Sequence, residues 1–138
     1  MSRTPIHAIP GRMSTTLLIG AGGALGAMAR YLLSSWITQV LGTQFPWGIL
    51  CVNIAGCLAM GLVAGLGAQM IQMSDEMKMF LATGILGGFT TFSAFSLDAV
   101  QLAERGAMTD AALYVIASVA GSIAALLAGL ALVRVVTP

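Results

Sequence analysis

Apolar residues fill long stretches of this 138-residue chain, and polar residues are concentrated in short segments between them. Charged residues are absent from the stretches 13–29, 31–74, 79–97 and 111–133. A helix needs about 20 apolar residues to cross a bilayer, so the longest stretch holds the end of one helix and a second helix. The sequence Gly-Thr-Gln-Phe-Pro at 42–46 is typical of the turn between them. The pattern predicts an all-α membrane protein with four transmembrane helices, at about 14–40, 47–72, 77–103 and 110–135.

The composition supports a location in the lipid bilayer. Hydrophobic residues make up 58% of the chain and charged residues 8%, a balance beyond what a soluble domain tolerates. We therefore expect a multi-pass membrane protein. The net charge of +1 gives no reason to expect nucleic acid as a partner.

The N-terminal segment differs from the rest of the chain. Residues 1–13 are polar, include two prolines and lack a small-residue cleavage site after an apolar run. We interpret them as a disordered leader rather than a signal peptide, which leaves 14–138 as a single four-helix transmembrane domain. Because a bundle this small can scarcely enclose a polar route alone, we expect a homo-oligomer.

The basic residues give little preference for one orientation in the membrane. One side is expected to carry Arg3, Arg12, Lys78 and Arg134. The other side carries Arg105, and Arg30 is placed at the far end of the first helix. If the leader is discounted, the count is two against two, which allows insertion in either direction.

A glycine-rich segment and two cysteines resemble a nucleotide-binding turn and a metal site, but the residues that such sites also need are missing from the sequence. The segment GAGGALG at 20–26 is spaced like a dinucleotide-binding turn, but such a turn needs an acidic residue about 20 positions later, and the next one is Asp75. Cys51 and Cys57 have no neighbouring His or Cys to complete a metal site. We interpret the glycines as helix-packing surfaces, the cysteines as small apolar packing residues, and the protein as not an enzyme.

Polar side chains inside the predicted helices fall on defined faces. Tyr114, Ser118 and Ser122 repeat every four residues and form a hydroxyl stripe along the fourth helix. Asn53 heads a series of small residues at the same spacing, which places its amide where another helix can approach. The first helix has Arg30 as its only charged residue and lacks the carboxylate that a small proton-coupled multidrug exporter needs. Proton coupling is therefore disfavoured.

The third helix contains a segment that forms helix poorly. Residues 84–98 include three glycines followed by two threonines, so we predict a break near mid-membrane. Carbonyls freed by a break need partners inside protein or in a polar cavity, and a hard cation such as Na⁺ is a suitable one. Phe92 and Phe95 follow on one helical face, where their electropositive ring edges can face an anion.

Several of these segments together resemble a known family. The chain is similar to the Fluc-type fluoride channels in the order and spacing of GGALGAMARY (22–31), PWGILCVNIAGCLAMG (46–61), GILGGFTTFSAFSLD (84–98) and Tyr114 with its two serines. The resemblance covers essentially the whole chain after the leader. It implies an antiparallel, dual-topology homodimer of four-helix subunits, with two fluoride pores and a structural Na⁺ at the dimer interface. The implied function is passive, fluoride-selective export across the cell membrane, which relieves fluoride toxicity. The implied location is the inner or plasma membrane of a bacterium.

The resemblance also implies roles for individual residues. It implies a fluoride pore at Asn53, Phe92, Phe95, Tyr114, Ser118, Ser122 and Thr91. It implies that the Na⁺ is held by the carbonyls of Gly87 and Thr90, and that Arg30 and Asp98 lie near a vestibule. The chain departs from the family pattern at Ile49, where Thr is frequent, and at Asp98, where Glu is frequent.

Two other functions remain open on the sequence alone. A small proton-coupled multidrug-type exporter would need an embedded acid, and a non-conducting membrane assembly subunit would show no flux when purified. The membrane-embedded amide of Asn53 weakens the second alternative, although an asparagine also serves as a bond between helices.

Overall fold

The computed structural model describes residues 10–69 and 73–137, and each long regular segment in those ranges is a helix. The helical segments are α1 (Pro10–Leu41), α2 (Trp47–Gln69), α3 (Asp75–Lys78), a π-helical segment (Met79–Leu86), α4 (Gly87–Phe89), α5 (Phe92–Glu104) and α6 (Met108–Val136). Among the described residues, four stretches are long and apolar enough to cross a membrane: Met13–Leu41, Trp47–Gln69, Asp75–Glu104 and Met108–Val136. The prediction of an all-α protein with four membrane-spanning helices is confirmed.

Two helices end at glycines with left-handed backbone. Gly42 follows α1 with a φ of 89°, and Gly106 follows α5 with a φ of 78°. Glycine adopts this conformation at little cost, which lets the chain leave a helix while the last carbonyls stay hydrogen-bonded. The Gly42 N–H, for example, donates to Thr38 O at 2.9 Å. The turn between α1 and α2 lies at the predicted position, 42–46.

The first helix begins earlier than the apolar pattern predicts. α1 starts at Pro10 instead of near residue 14. Proline suits the first turn of a helix, because its missing N–H is not needed there and its φ is already helical. Residues 1–9, most of the predicted disordered leader, lie outside the described residues, as do 70–72 at the predicted end of the second helix.

Small residues bring α2 and α6 close together. A Cβ added to Gly61 would lie 3.1 Å from Gly129 Cα, and one added to Gly65 would lie 2.9 Å from Val133 Cβ. The two backbones approach closely at Gly61 and Gly129 because neither residue has a side chain, and the absence of a side chain at Gly65 leaves room for Val133. Asn53 shares this face of α2 at the same four-residue spacing, so its amide is directed into the bundle.

Glycines also join α1 to the third span. A Cβ added to Gly22 would lie 3.1 Å from Gly84 Cα, and one added to Gly88 would lie 2.9 Å from Gly23 Cα. Gly84 and Gly88 therefore stay helical and form contact surfaces for α1, although both belong to the segment that the sequence pattern identifies as a poor helix former. The unwinding falls on the two threonines that follow.

The break in the third span is the extended dipeptide Thr90–Thr91. Its φ and ψ angles are −80° and 157° at Thr90, and −152° and 124° at Thr91. The Thr91 hydroxyl accepts a hydrogen bond from Ala94 N at 3.2 Å and so caps α5, while the Thr90 hydroxyl donates to Leu86 O at 2.9 Å. Because the span runs over Asp75–Glu104, the break lies close to its middle. The predicted break in the third helix is confirmed.

Candidate functional site: a polar cavity at the helix break

A cavity of about 480 Å³ lies beside the break, and we call it the break cavity. Its wall consists of Asn53, Cys57, Gly87, Thr90, Thr91, Phe92, Phe95, Ser118, Val119, Ser122 and Ile123. Six of the seven residues predicted for a fluoride pore lie in this wall, and the exception is Tyr114. The wall offers amide, hydroxyl and thiol groups and contains no charged side chain.

Asn53 holds the backbone of the break in place. Its Nδ2 donates to Thr91 O at 3.0 Å, and its Oδ1 accepts from Thr91 N at 2.8 Å. The amide therefore satisfies two backbone groups at the point where the helical pattern is interrupted. An amide nitrogen carries two hydrogens, so one N–H is left to meet another acceptor in the break cavity. Asn53 is thus a positioning residue for the break as well as a candidate donor.

Arg30 reaches the same break from α1. Its Nη1 donates to Thr90 O at 3.4 Å, and the contact is partly buried. Gly26, one turn earlier, lies against the third span so closely that an added Cβ would be 2.8 Å from Phe89 N. This crossing of α1 and the third span carries Arg30 to the level of Thr90. The structure therefore places Arg30 at the break and not at the far end of α1 as the sequence predicts, and its role near a vestibule stays a prediction.

The two phenylalanines after the break have different surroundings. Their ring centroids are 5.3 Å apart. Phe95 is 7% exposed, and its ring lies 5.4 Å from that of Tyr114, so it belongs to the packed interior. Phe92 is 77% exposed although it also lines the break cavity. Its ring therefore contributes little to packing within the chain.

Ser118 lines the break cavity and has a buried hydroxyl without a partner among the described residues. The residue is 5% exposed, and its Oγ makes no hydrogen bond with any of the residues that the structure describes. The hydroxyl of Tyr114, one turn away on α6, donates to Asp98 Oδ2 at 3.2 Å. A buried polar group left in this state costs about 1–3 kcal/mol, so the hydroxyl would gain from a small polar solute.

A second cavity, of about 430 Å³, lies beside the turn between α1 and α2, and we call it the mouth cavity. Its wall consists of Ser34, Ser35, Thr38, Thr43, Phe45, Pro46, Gly48, Ile49, Asp98, Gln101 and Arg105. Asp98 therefore lies in the wall of a polar recess, and its role near a vestibule stays a prediction. Ile49 puts an aliphatic group into this wall where the family frequently has the hydroxyl of Thr.

Tyr114 connects the two cavities instead of lining the break cavity. Its side chain is fully buried, its ring packs against Phe95 in the break cavity wall, and its hydroxyl meets Asp98 in the mouth cavity wall. The aspartate side chain is long enough to make this contact. The three hydroxyls of the predicted stripe therefore have different surroundings: Ser118 and Ser122 line the break cavity, and the Tyr114 hydroxyl is hydrogen-bonded to Asp98.

The backbone of the break offers two carbonyl groups that could contact a cation, those of Gly87 and Thr90. Among the described residues, no group of three or more His, Cys, Asp or Glu comes together, and the oxygens near the break belong to backbone carbonyls, hydroxyls and the Asn53 amide. The Gly87 carbonyl suits this role, because its α-helical partner, the Thr91 N–H, donates to Asn53. The Thr90 carbonyl already accepts from Arg30 and has one further lone pair. A Na⁺ would thus share Thr90 with a guanidinium.

Sequence reasoning did not place two of these residues at the break. Cys57 was expected to be a packing residue, yet it lies in the break cavity wall. Its four-residue spacing from Asn53 was the available signal. The second residue is Arg30, which lies one helical turn after Gly26. Because Gly26 is where α1 packs against the third span, Arg30 reaches the break, but the sequence does not reveal that packing.

The fold and the site define a class of protein. Three of the four membrane-capable helices line an uncharged polar cavity at a helix break, which is the arrangement of a small polytopic membrane protein with a polar cavity inside the bilayer. The family model described as CrcB-like protein, Camphor Resistance (CrcB), matches residues 17–130. The chain belongs to this CrcB-like family.

Relatives of the chain carry a more specific name. A protein of Rhodopseudomonas palustris is 54% identical over 123 residues, which are 89% of this chain and 99% of the relative. A protein of Agrobacterium fabrum is 52% identical over 122 residues, covering 88% of this chain and 98% of the relative. A protein of Rhodospirillum centenum is 52% identical over 122 residues, which are 88% of this chain and 97% of the relative. Each of the three is named Fluoride-specific ion channel FluC.

Proposed function

We propose that this chain is a fluoride-selective ion channel that lets fluoride leave the cell passively and so relieves fluoride toxicity. The observation that carries the proposal is the Ser118 hydroxyl, buried without a partner in the wall of the break cavity. Fluoride is small and strongly hydrated, so a pore must replace its water with several close donors. This hydroxyl and the second N–H of Asn53 are such donors, and the names of the relatives support the same function.

The chemistry of the wall supports passage without proton coupling. The break cavity contains no carboxylate, and Asp98 lies in the mouth cavity. Uncharged donors bind an anion weakly enough to release it, whereas a fixed positive charge could retain it. The proposal includes no chemical step, which agrees with a protein that is not an enzyme. A small proton-coupled exporter is therefore the weaker alternative.

Transport is expected to be electrogenic. Purified protein in KF-loaded liposomes should release fluoride rapidly only when valinomycin supplies a compensating K⁺ pathway, because each fluoride leaves with an uncompensated charge. A fluoride electrode measures the release, and protein-free liposomes are the control. Efflux that is equally fast without valinomycin, or that moves protons in fixed ratio, would contradict the channel. Absence of any flux would favour a non-conducting assembly subunit.

We also propose that the pore is completed by a second copy of the chain in the opposite orientation. At the break, Gly87 and Ser93 are exposed, and Phe92 is 77% exposed. Irregular backbone at this depth is tolerated only against protein or a polar cavity, so lipid alone cannot cover it. Because the break lies near the middle of its span, an antiparallel copy would bring its own break to the same depth. The result is an antiparallel homodimer with two pores.

Both orientations are expected in one membrane. This prediction now rests on antiparallel pairing rather than on charge balance, because Arg30 lies at the break and counts for neither side. With Cys51 and Cys57 replaced by Ala, Ser2→Cys should be labelled to about half by an impermeant thiol reagent, as equal insertion in both directions requires. The label added after detergent is the control for total thiol. Complete labelling or complete protection in intact vesicles would exclude dual insertion.

Na⁺ is proposed as a structural ion at the dimer interface, held by the carbonyls of Gly87 and Thr90 from both copies. Exhaustive replacement of Na⁺ by N-methylglucamine is expected to lower the dimer fraction in detergent and the fluoride flux, because unpaired carbonyls are costly at low dielectric. Readdition of Na⁺ should restore both, and readdition of K⁺ is the control. Unchanged flux and dimer stability without Na⁺ would remove the ion from the proposal.

A further inference from the structure

Cys57 is placed differently from the other cysteine of the chain. It lies in the wall of the break cavity, one turn from Asn53 on the same face of α2, and is partly exposed. Cys51 is also partly exposed but lies about 120° away around the same helix, and it lines neither the break cavity nor the mouth cavity. The two thiols therefore share a helix and differ in the surface that they face.

The wall around Cys57 has a second group that would accept a small ion. Ser118 is 5% exposed and lines the same cavity, and its Oγ makes no hydrogen bond with any described residue. A thiolate sulfur is the ligand that soft metal ions prefer, whereas a hydroxyl oxygen adds polar contact without selecting them. A thiol and an unpartnered hydroxyl in one cavity therefore suit a soft cation.

We propose that Cys57 is a binding site for soft monovalent metal ions, represented by Ag⁺, and that an ion bound there closes the fluoride pore. The thiol releases its proton to water as the sulfur bonds to Ag⁺, so no electron is transferred and the silver–thiolate pair is neutral overall. A neutral pair avoids the cost of an unpaired charge inside the membrane. The closure of the pore rests on the proposed function, because it requires fluoride to pass through the break cavity.

Fluoride efflux with and without Ag⁺ tests the closure. The chain as it exists, Cys51→Ser and Cys57→Ser are compared in nitrate buffer, because chloride would precipitate silver, and the result is the ratio of the two rates within each protein. Ag⁺ should abolish efflux in the unaltered chain and in Cys51→Ser, and excess dithiothreitol should restore it. Cys57→Ser should show the same rate with and without Ag⁺, whatever that rate is. Efflux insensitive to Ag⁺ in the unaltered chain, or equal inhibition in Cys57→Ser, would overturn the proposal.

Retention of Ag⁺ separates this site from the proposed function. Proteoliposomes of Cys51→Ser, in which Cys57 is the remaining cysteine, should retain Ag⁺ added from the water after rapid desalting. Proteoliposomes of Cys57→Ser should retain little, because Cys51 lines neither cavity. If the unaltered chain conducts no fluoride, the proposed channel function is wrong. The difference in Ag⁺ retention between Cys51→Ser and Cys57→Ser still tests the metal site in that case. Equal retention by the two variants, or retention by neither, would exclude the site.

Discussion

Replacing Phe92 with Ile is expected to lower fluoride efflux by about tenfold or more while the protein stays folded and dimeric. Ile keeps much of the apolar bulk but removes the ring, whose electropositive edge can face an anion. Because Phe92 is 77% exposed in the single chain, the substitution removes little internal packing. A contact worth about 1.4 kcal/mol at the rate-limiting barrier corresponds to a tenfold change in rate. Efflux into fluoride-free buffer and size-exclusion chromatography measure the two properties.

Phe92→Tyr is the matched control, because it keeps the ring, and it should retain more flux than Phe92→Ile. Phe95→Ile should also lower the flux, but with a measurable loss of stability, since Phe95 is 7% exposed and packs on Tyr114. The difference between the two positions separates the ring's role in permeation from its role in packing. Near-normal flux in dimeric Phe92→Ile would mean that the ring serves packing and that fluoride takes another route.

Asn53→Asp is expected to reduce fluoride efflux by about tenfold or more and to lower the temperature of unfolding. The ionised carboxylate would repel an anion in the break cavity. It would also lose the donor that Nδ2 now offers to Thr91 O at 3.0 Å, and place two acceptor oxygens against each other. The change is nearly isosteric, so the effect reports charge and hydrogen bonding and not volume. Efflux and thermal unfolding of the same preparation measure both effects.

Gln69→Glu is the matched control for this substitution. It makes the same amide-to-acid change on α2, at an exposed position outside the break cavity wall, and should conduct like the unaltered chain. If Asn53→Asp and Gln69→Glu conduct equally well as folded dimers, then Asn53 neither contacts the passing anion nor holds the break in its conducting form.

The sequence by itself determined the number of spans, the turn between α1 and α2, and the presence of a break in the third span. Each is a property of a short continuous segment. The length of an apolar stretch decides whether a helix can cross the bilayer, and the density of Gly and Thr decides where helix is weak. Spacing of four residues also predicted correctly that Ser118 and Ser122 share a surface.

Only the tertiary structure decided where the break lies and what holds it. Gly84 and Gly88 are contact surfaces against α1, so they remain helical and the extended backbone falls on Thr90 and Thr91. Whether a glycine unwinds or packs depends on a helix distant in the sequence. The same crossing brought Arg30 to the Thr90 carbonyl, 60 positions away along the chain, although its sequence position suggested a helix end.

The tertiary structure likewise decided which side chains meet. Helical spacing assigned Tyr114 to one stripe with the serines, but the structure turns its hydroxyl to Asp98 and leaves Ser118 without a partner. It also placed Cys57 in the cavity wall. The spacing of residues in the sequence predicts which side chains share a face of one helix. Which residues of other helices contact that face depends on how closely the helices approach. In this chain the pairing of small residues across the helices sets that approach, and no single helix contains that information.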